Sequence, residues 1–179
     1  RAVIRTVRMA VLKRLLARRK RGRRPILQAI VDLTPLEKTG KFKLLEGLIH
    51  IFNKKRGMHV AVLYLSMDSW RIPWSFRVWR GKGSASPTML ALMLLRTIPA
   101  KLRKRYRILV LADAAFGNRE FLKGVRRLGF HAVVGITRTH KLKDGRAIEK
   151  LHYRGERVFL EELDFPVFGS WVWLKRSGE

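Results

Sequence analysis

Two aspartates in this 179-residue chain stand where chemistry can be done. Asp32 closes the apolar run "ILQAIVD", and Asp113 follows "RILVLA", a second run that reads as a buried strand. An acid at a strand's carboxyl end commonly serves only as a turn or cap residue. In open α/β sheets, however, the groove beyond those strand ends is where ligands bind, so acids delivered by two strands can converge there. Carboxylate oxygens are hard ligands suited to Mg²⁺. Two such ions held about 4 Å apart activate an attacking hydroxyl and stabilise the leaving oxygen of a phosphodiester displacement. Asn118 stands where it can cap the helix after Asp113, which leaves Asp113 spare.

The charge balance points the same way. Forty Lys and Arg against 13 Asp and Glu give a formal charge of +27, a self-repelling surplus that suits a polyanionic neighbour. Nucleic acid is the expected partner. A membrane surface is the rival, but no apolar stretch approaches the roughly 20 residues that span a bilayer. The absence of Cys excludes a disulfide frame and a thiolate metal site, and it fits a reducing, cytoplasmic interior. An apolar content of 47% is enough for a core in a chain of this length.

The elements that must position the two acids follow from periodicity. Residues 1–24 carry eleven Lys or Arg and no acid, with Val3, Ile4, Val7, Val11, Leu15 and Leu16 spaced for one side of a helix; Arg23 and Arg24 end this basic segment. After the Asp32 strand, Leu-Thr-Pro reads as a breaker. "GMHVAVLYLSMD" and "WRIPWSFRVWRGKG" read as two strands around a turn near Asp68 and Ser69. The alternation in the second predicts one buried face made by Trp70, Ile72, Trp74, Phe76 and Val78, and Pro73 demands a sheet edge or a bulge. "SPTMLALMLLRTI" predicts a buried helix capped by Ser86. The Asp113 strand, a helix capped by Asn118 and stopped at Gly129, and the strand "FHAVVGI" form a βαβ unit with parallel strands. We therefore expect a basic helical segment at 1–24, an α/β core at 25–138 and a small β-rich region at 139–179.

Other motifs carry less. "GKGS" at 81–84 lacks the context of a phosphate loop. The five histidines show no paired ligand spacing, and Trp70, Trp74, Trp79, Trp171 and Trp173 read as sheet-face core residues rather than stacking platforms. Lys38, Arg138 and Lys141 follow strand ends and are candidates for phosphate contact.

"AIVDLTPLEKTGKF", followed by a hairpin, and then "LVLADAAFGNREFLKGVRRLGFHAVVGITR" resemble the first and second acidic blocks of bacterial insertion-sequence transposases of the Asp-Asp-Glu type, insertion-sequence-four group. The resemblance spans residues 26 to about 175. It implies a ribonuclease H-like mixed sheet with flanking helices, and a β-rich insertion before the third acid. It further implies Asp32 and Asp113 as catalytic ligands of Mg²⁺ or Mn²⁺, cleavage and strand transfer on double-stranded DNA, at transposon ends and target, and a homodimer in the DNA complex.

The group's third acid sits in Tyr-x2-Arg-x3-Glu-x6-Lys, and here the chain departs from the family. Three residues after Tyr64, Tyr106 and Tyr153 stand Met67, Leu109 and Glu156, so the signature is missing. Glu149, with thirty-five residues between it and Asp113, is a weak substitute at a spacing that resembles the retroviral integrase branch. Arg1 in place of an initiator Met, and the ending "LKRSGE", lead us to expect a fragment whose third acid lies past Glu179 and which is inactive as it stands. The rival readings are a ribonuclease H-like nuclease that cuts without joining and a non-catalytic basic nucleic-acid-binding protein.

Overall fold

The computed structural model describes residues 2–17, 22–37, 39–40, 43, 45–52, 54–68 and 70–171, without the side chains of 2–5 and 46. Lys38, Ser69 and Trp173 lie outside the described residues, as does most of the run from Ser170 to Leu174. The chain divides into two compact units, Arg1–Gly135 and Ile136–Glu179.

The first unit is mixed α/β. Its strands are β1 (Ile26–Glu37), β2 (His50–Phe52), β3 (Lys55–Met67), β4 (Trp70–Val78), β5 (Arg107–Ala112) and β6 (His131–Val134). They form one sheet in the order β2-β3-β1-β5-β6, with β4 beside β2 on the outer edge of β3. β1, β3 and β4 run antiparallel in succession, whereas β5 and β6 run parallel to β1. The helices are α1 (Ala2–Ala17), α2 (Pro87–Arg96), α3 (Ala100–Arg105) and α4 (Arg119–Arg127).

Strand alternation sorts the sheet into two faces. Leu27, Ala29 and Val31 of β1, Ala61, Leu63 and Leu65 of β3, and Ile108 and Val110 of β5 are buried in one cluster. The same cluster takes in Leu15 of α1, Leu94 and Leu95 of α2, Leu102 of α3, and Phe121 and Val125 of α4. All four helices thus cover one face. The other face carries Gln28, Ile30, Val62, Tyr64, Leu109 and Leu111, all half-buried, together with Val133 and Phe76, which are 62% and 55% exposed.

Helix ends follow their sequence signals. Ser86 accepts a hydrogen bond from the Met89 amide at 3.1 Å, with Pro87 at the first helical position. Asn118 accepts from the Phe121 amide at 3.0 Å and donates to Thr88 at 2.9 Å, which ties α4 to α2. Gly129, at φ 71°, closes α4 in the left-handed conformation that glycine adopts at least cost.

Two expectations needed correction. β1 does not stop at Asp32 but continues through Pro35 to Glu37. His59, opposite Pro35, accepts at its carbonyl from Trp79 on the far side of β3, so the backbone of Pro35 faces away from β3. β5 has already ended on that side, and the missing N–H interrupts no ladder. In β4, Tyr64 pairs with Pro73 but Leu63 with Ser75, so Trp74 is an inserted residue. This bulge moves Phe76 and Val78 to the face opposite Ile72, leaving Trp74 buried and Phe76 exposed.

The second unit is short and β-rich. β7 (Glu156–Val158) pairs antiparallel with β8 (Val167–Gly169), and isolated bridges join Lys141 to Ala147 and Leu142 to Leu160. Leu142, Val158, Leu160 and Leu163 are its buried apolar residues. Arg146 is its polar hub, donating to Asp144 and to the buried Glu156, each at 2.8 Å. The hydrogen bonds from that guanidinium hold both carboxyls below the usual carboxylate range.

Candidate active site

The parallel ladder between β1 and β5 pairs Ile26 with Arg107 and proceeds rung by rung to Val31 with Ala112. Continued by one residue, the same register brings Asp32 level with Asp113. Asp113 keeps an extended backbone, φ −78° and ψ −177°, so the two acids stand side by side at the point where β5 ends. Adjacent strands lie about 4.8 Å apart, and residues level on parallel strands share a face. Both carboxylates are exposed, and they fall in phase with the face that the helices leave uncovered.

Each carboxylate is steadied by one local donor. The Thr34 hydroxyl, two residues on along the same strand, donates to Asp32 Oδ2 at 2.7 Å. The Ala115 amide donates to Asp113 Oδ1 at 3.1 Å, capping the single 3₁₀ turn Ala114–Phe116. Asp113 is therefore not spare, as Asn118's capping of α4 suggested: each of the two residues caps its own element. One oxygen remains on each acid, Asp32 Oδ1 and Asp113 Oδ2, with no hydrogen-bond partner among the described residues.

Gly135 was not anticipated as part of this arrangement. Its amide donates to the Ala112 carbonyl at 3.1 Å. A Cβ there would come within 2.8 Å of the Ala114 nitrogen and 3.2 Å of the Asp113 carbonyl carbon. Only glycine lets the end of β6 lie this close to the turn that aims Asp113. The available signal was a glycine closing an apolar strand.

The donor set fits a hard divalent ion. Mg²⁺ keeps several waters and is held by one or two carboxylates together with substrate phosphate oxygens, so two neighbouring carboxylates with open oxygens suffice for that mode. No group of three or more His, Asp or Glu side chains suited to a metal occurs among the described residues. The chain matches no protein-family model and no curated protein.

The remaining candidates scatter. Arg23 and Arg24 are exposed immediately before β1, at the end of the sheet remote from Asp32. Arg138 and Lys141 belong to the second unit and are exposed, and Glu149 is exposed there on the 3₁₀ turn Ile148–Lys150. Lys38 lies outside the described residues. His59 is a core residue, buried against Phe52 and Trp79 with its Nε2 3.2 Å from the His50 carbonyl. Trp74 and Trp79 are buried as well, while Trp70 is 42% exposed beneath the Arg14 guanidinium, 3.5 Å from the ring centroid. No helix among the described residues is long and apolar enough to cross a membrane.

Proposed function

We propose that this chain carries the first two acids of a DNA transposase of the Asp-Asp-Glu type, on a ribonuclease H-like core. The observation that carries the reading is the parallel register of the neighbouring strands β1 and β5, which ends at Val31 and Ala112 and, continued by one residue, brings Asp32 level with Asp113. The antiparallel succession β1, β3, β4, followed by β5 and β6 parallel to β1, supports the ribonuclease H-like assignment.

In this reading Asp32 and Asp113 bind Mg²⁺ or Mn²⁺ through their open oxygens, while Thr34 and the Ala115 amide keep the two carboxylates aimed. A metal held there would activate the attacking water or 3′ hydroxyl and stabilise the leaving oxygen. The cationic surface supplies sequence-independent backbone affinity and offsets the repulsion between carboxylates and phosphates. The third acid comes from outside the described residues, and the working complex on double-stranded DNA is a dimer.

The local hydrogen bonds at both aspartates favour a second reading, in which they are turn residues of a non-catalytic nucleic-acid-binding protein. Duplex binding with and without Mg²⁺ separates the two. The transposase reading expects Mg²⁺ to tighten binding by the wild-type chain and to leave Asp32→Asn and Asp113→Asn unaffected; identical Mg²⁺ responses in all three proteins favour the turn-residue reading. A nuclease that cuts without joining would share the metal response and differ in yielding no strand-transfer product.

A further inference from the structure

The opposite end of the same strand pair is predominantly cationic, with Asp68 exposed at the adjoining end of β3. Residues 1–31 and 69–112 contain no Asp or Glu. The fold brings parts of both segments together where β1 and β5 begin. The Arg107 amide donates to the Pro25 carbonyl at 2.9 Å, and the Tyr106 hydroxyl donates to the Leu15 carbonyl at 2.6 Å, fastening α1 beside α3. Arg23, Arg24, Lys101, Arg103, Lys104 and Arg107 are all exposed there, and none forms an ion pair among the described residues.

Helix-end electrostatics explain only part of this. A helix C-terminus favours one or two cations, whereas α3 ends in Arg103, Lys104 and Arg105 and Arg107 follows at the start of β5. Like charges gathered at one end of a sheet repel within a Debye length of roughly 10 Å, and an anion between them relieves that repulsion. The cluster is also rich in arginine, whose planar fork matches phosphate oxygens.

We propose that this basic end of the sheet is a second DNA-binding surface, which grips the phosphate backbone of a duplex without metal and apart from the aspartates. Asp32 lies seven residue steps beyond Pro25 along the strand, which sets the two ends roughly 23 Å apart at about 3.3 Å per step. The proposal shares its ligand with the transposase reading but requires neither carboxylate.

The test is duplex binding in EDTA across a salt series, read as the slope of log K against log salt. The variant Arg23→Ala/Arg24→Ala/Arg103→Ala/Lys104→Ala is compared with a charge-matched control, Arg71→Ala/Arg77→Ala/Arg80→Ala/Lys82→Ala. At about 0.9 in slope per phosphate contact, the loss of four contacts flattens the slope of the first variant by about 3.6 and weakens binding at least tenfold, while the control changes it far less. The pair Arg103→Ala/Lys104→Ala alone, at solvent-facing positions, gives about half the slope change and guards against misfolding of the larger variant. Equal losses in the variant and its control, or no loss in either, overturn the proposal. So does a variant that keeps duplex affinity but loses binding to anionic phosphatidylserine vesicles. Because EDTA removes the metal, failure here leaves the Mg²⁺ response of Asp32 and Asp113 unaffected.

Discussion

The two ends of the β1–β5 pair are opposites assembled from the same two strands. At the carboxyl ends two acids stand on one rung, each with one oxygen tied locally and one open. At the amino ends the exposed charges on the approach to β1, on α3 and on β5 are all positive, and Asp68, at the adjoining end of β3, is the acid beside them. On the proposed reading the difference separates chemistry from grip. Carboxylates beside phosphates repel unless a cation bridges them, whereas arginines need no intermediary. On that reading, a protein with both ends would hold a duplex in the absence of metal and engage its reacting phosphate only when metal arrives.

The strongest way to break this comparison is at the acid end. Asp32→Asn or Asp113→Asn should abolish the Mg²⁺-dependent part of duplex binding, about tenfold in affinity or 1.4 kcal/mol, while binding in EDTA stays unchanged or tightens. Electrophoretic mobility shifts in Mg²⁺ and in EDTA read both quantities. Truncating the shared support should instead weaken both ends together. Leu94→Ala, at a side chain that is 0% exposed, should cost about 2–5 kcal/mol in urea unfolding.

Gly135→Ala should separate the ends again. Its Cβ presses on the Asp113–Ala114 peptide, so the Mg²⁺ response falls while the EDTA salt slope holds, with a stability loss of about 1–3 kcal/mol. Asn118→Ala removes the α4 cap and the Thr88 bond and should cost about 1 kcal/mol by the same unfolding measurement.

The smallest effect lies in the second unit. Asp144 and Glu156 have depressed folded pKa values, so their contribution is complete above the unfolded carboxylate range of about 4 and is lost as pH falls below it. Protection of the Arg146 and His152 amides, measured against the intrinsic exchange rate at each pH, should therefore be high at pH 6 and fall below about pH 4, and Arg146→Ala should flatten that pH dependence.

Much of the core was legible because its elements each obey one period. α2, β5 and α4 carry uninterrupted apolar patterns with conventional caps, and the βαβ unit follows from their order. The ends of β1 and the face of β4 were not legible, for one common reason. Thr34-Pro35 looks like punctuation only until the sheet supplies an open side for the missing N–H, and the Trp74 bulge depends on a partner strand. The site was half legible. Asp32 and Asp113 stood out as acids after apolar runs, but their shared rung is a long-range register with no local signal. Asp113's own capping bond and Gly135's close approach are likewise set by neighbours distant in the chain.

The most direct test of the central claim is paramagnetic broadening of amide resonances by Mn²⁺, which detects even weak binding at a defined place. The account predicts broadening centred on Val31–Leu33, Ala112–Ala115 and Gly135, lost in Asp32→Asn and in Asp113→Asn alike. Broadening that is absent there, or that persists in both variants, would contradict a metal site shared by the two aspartates.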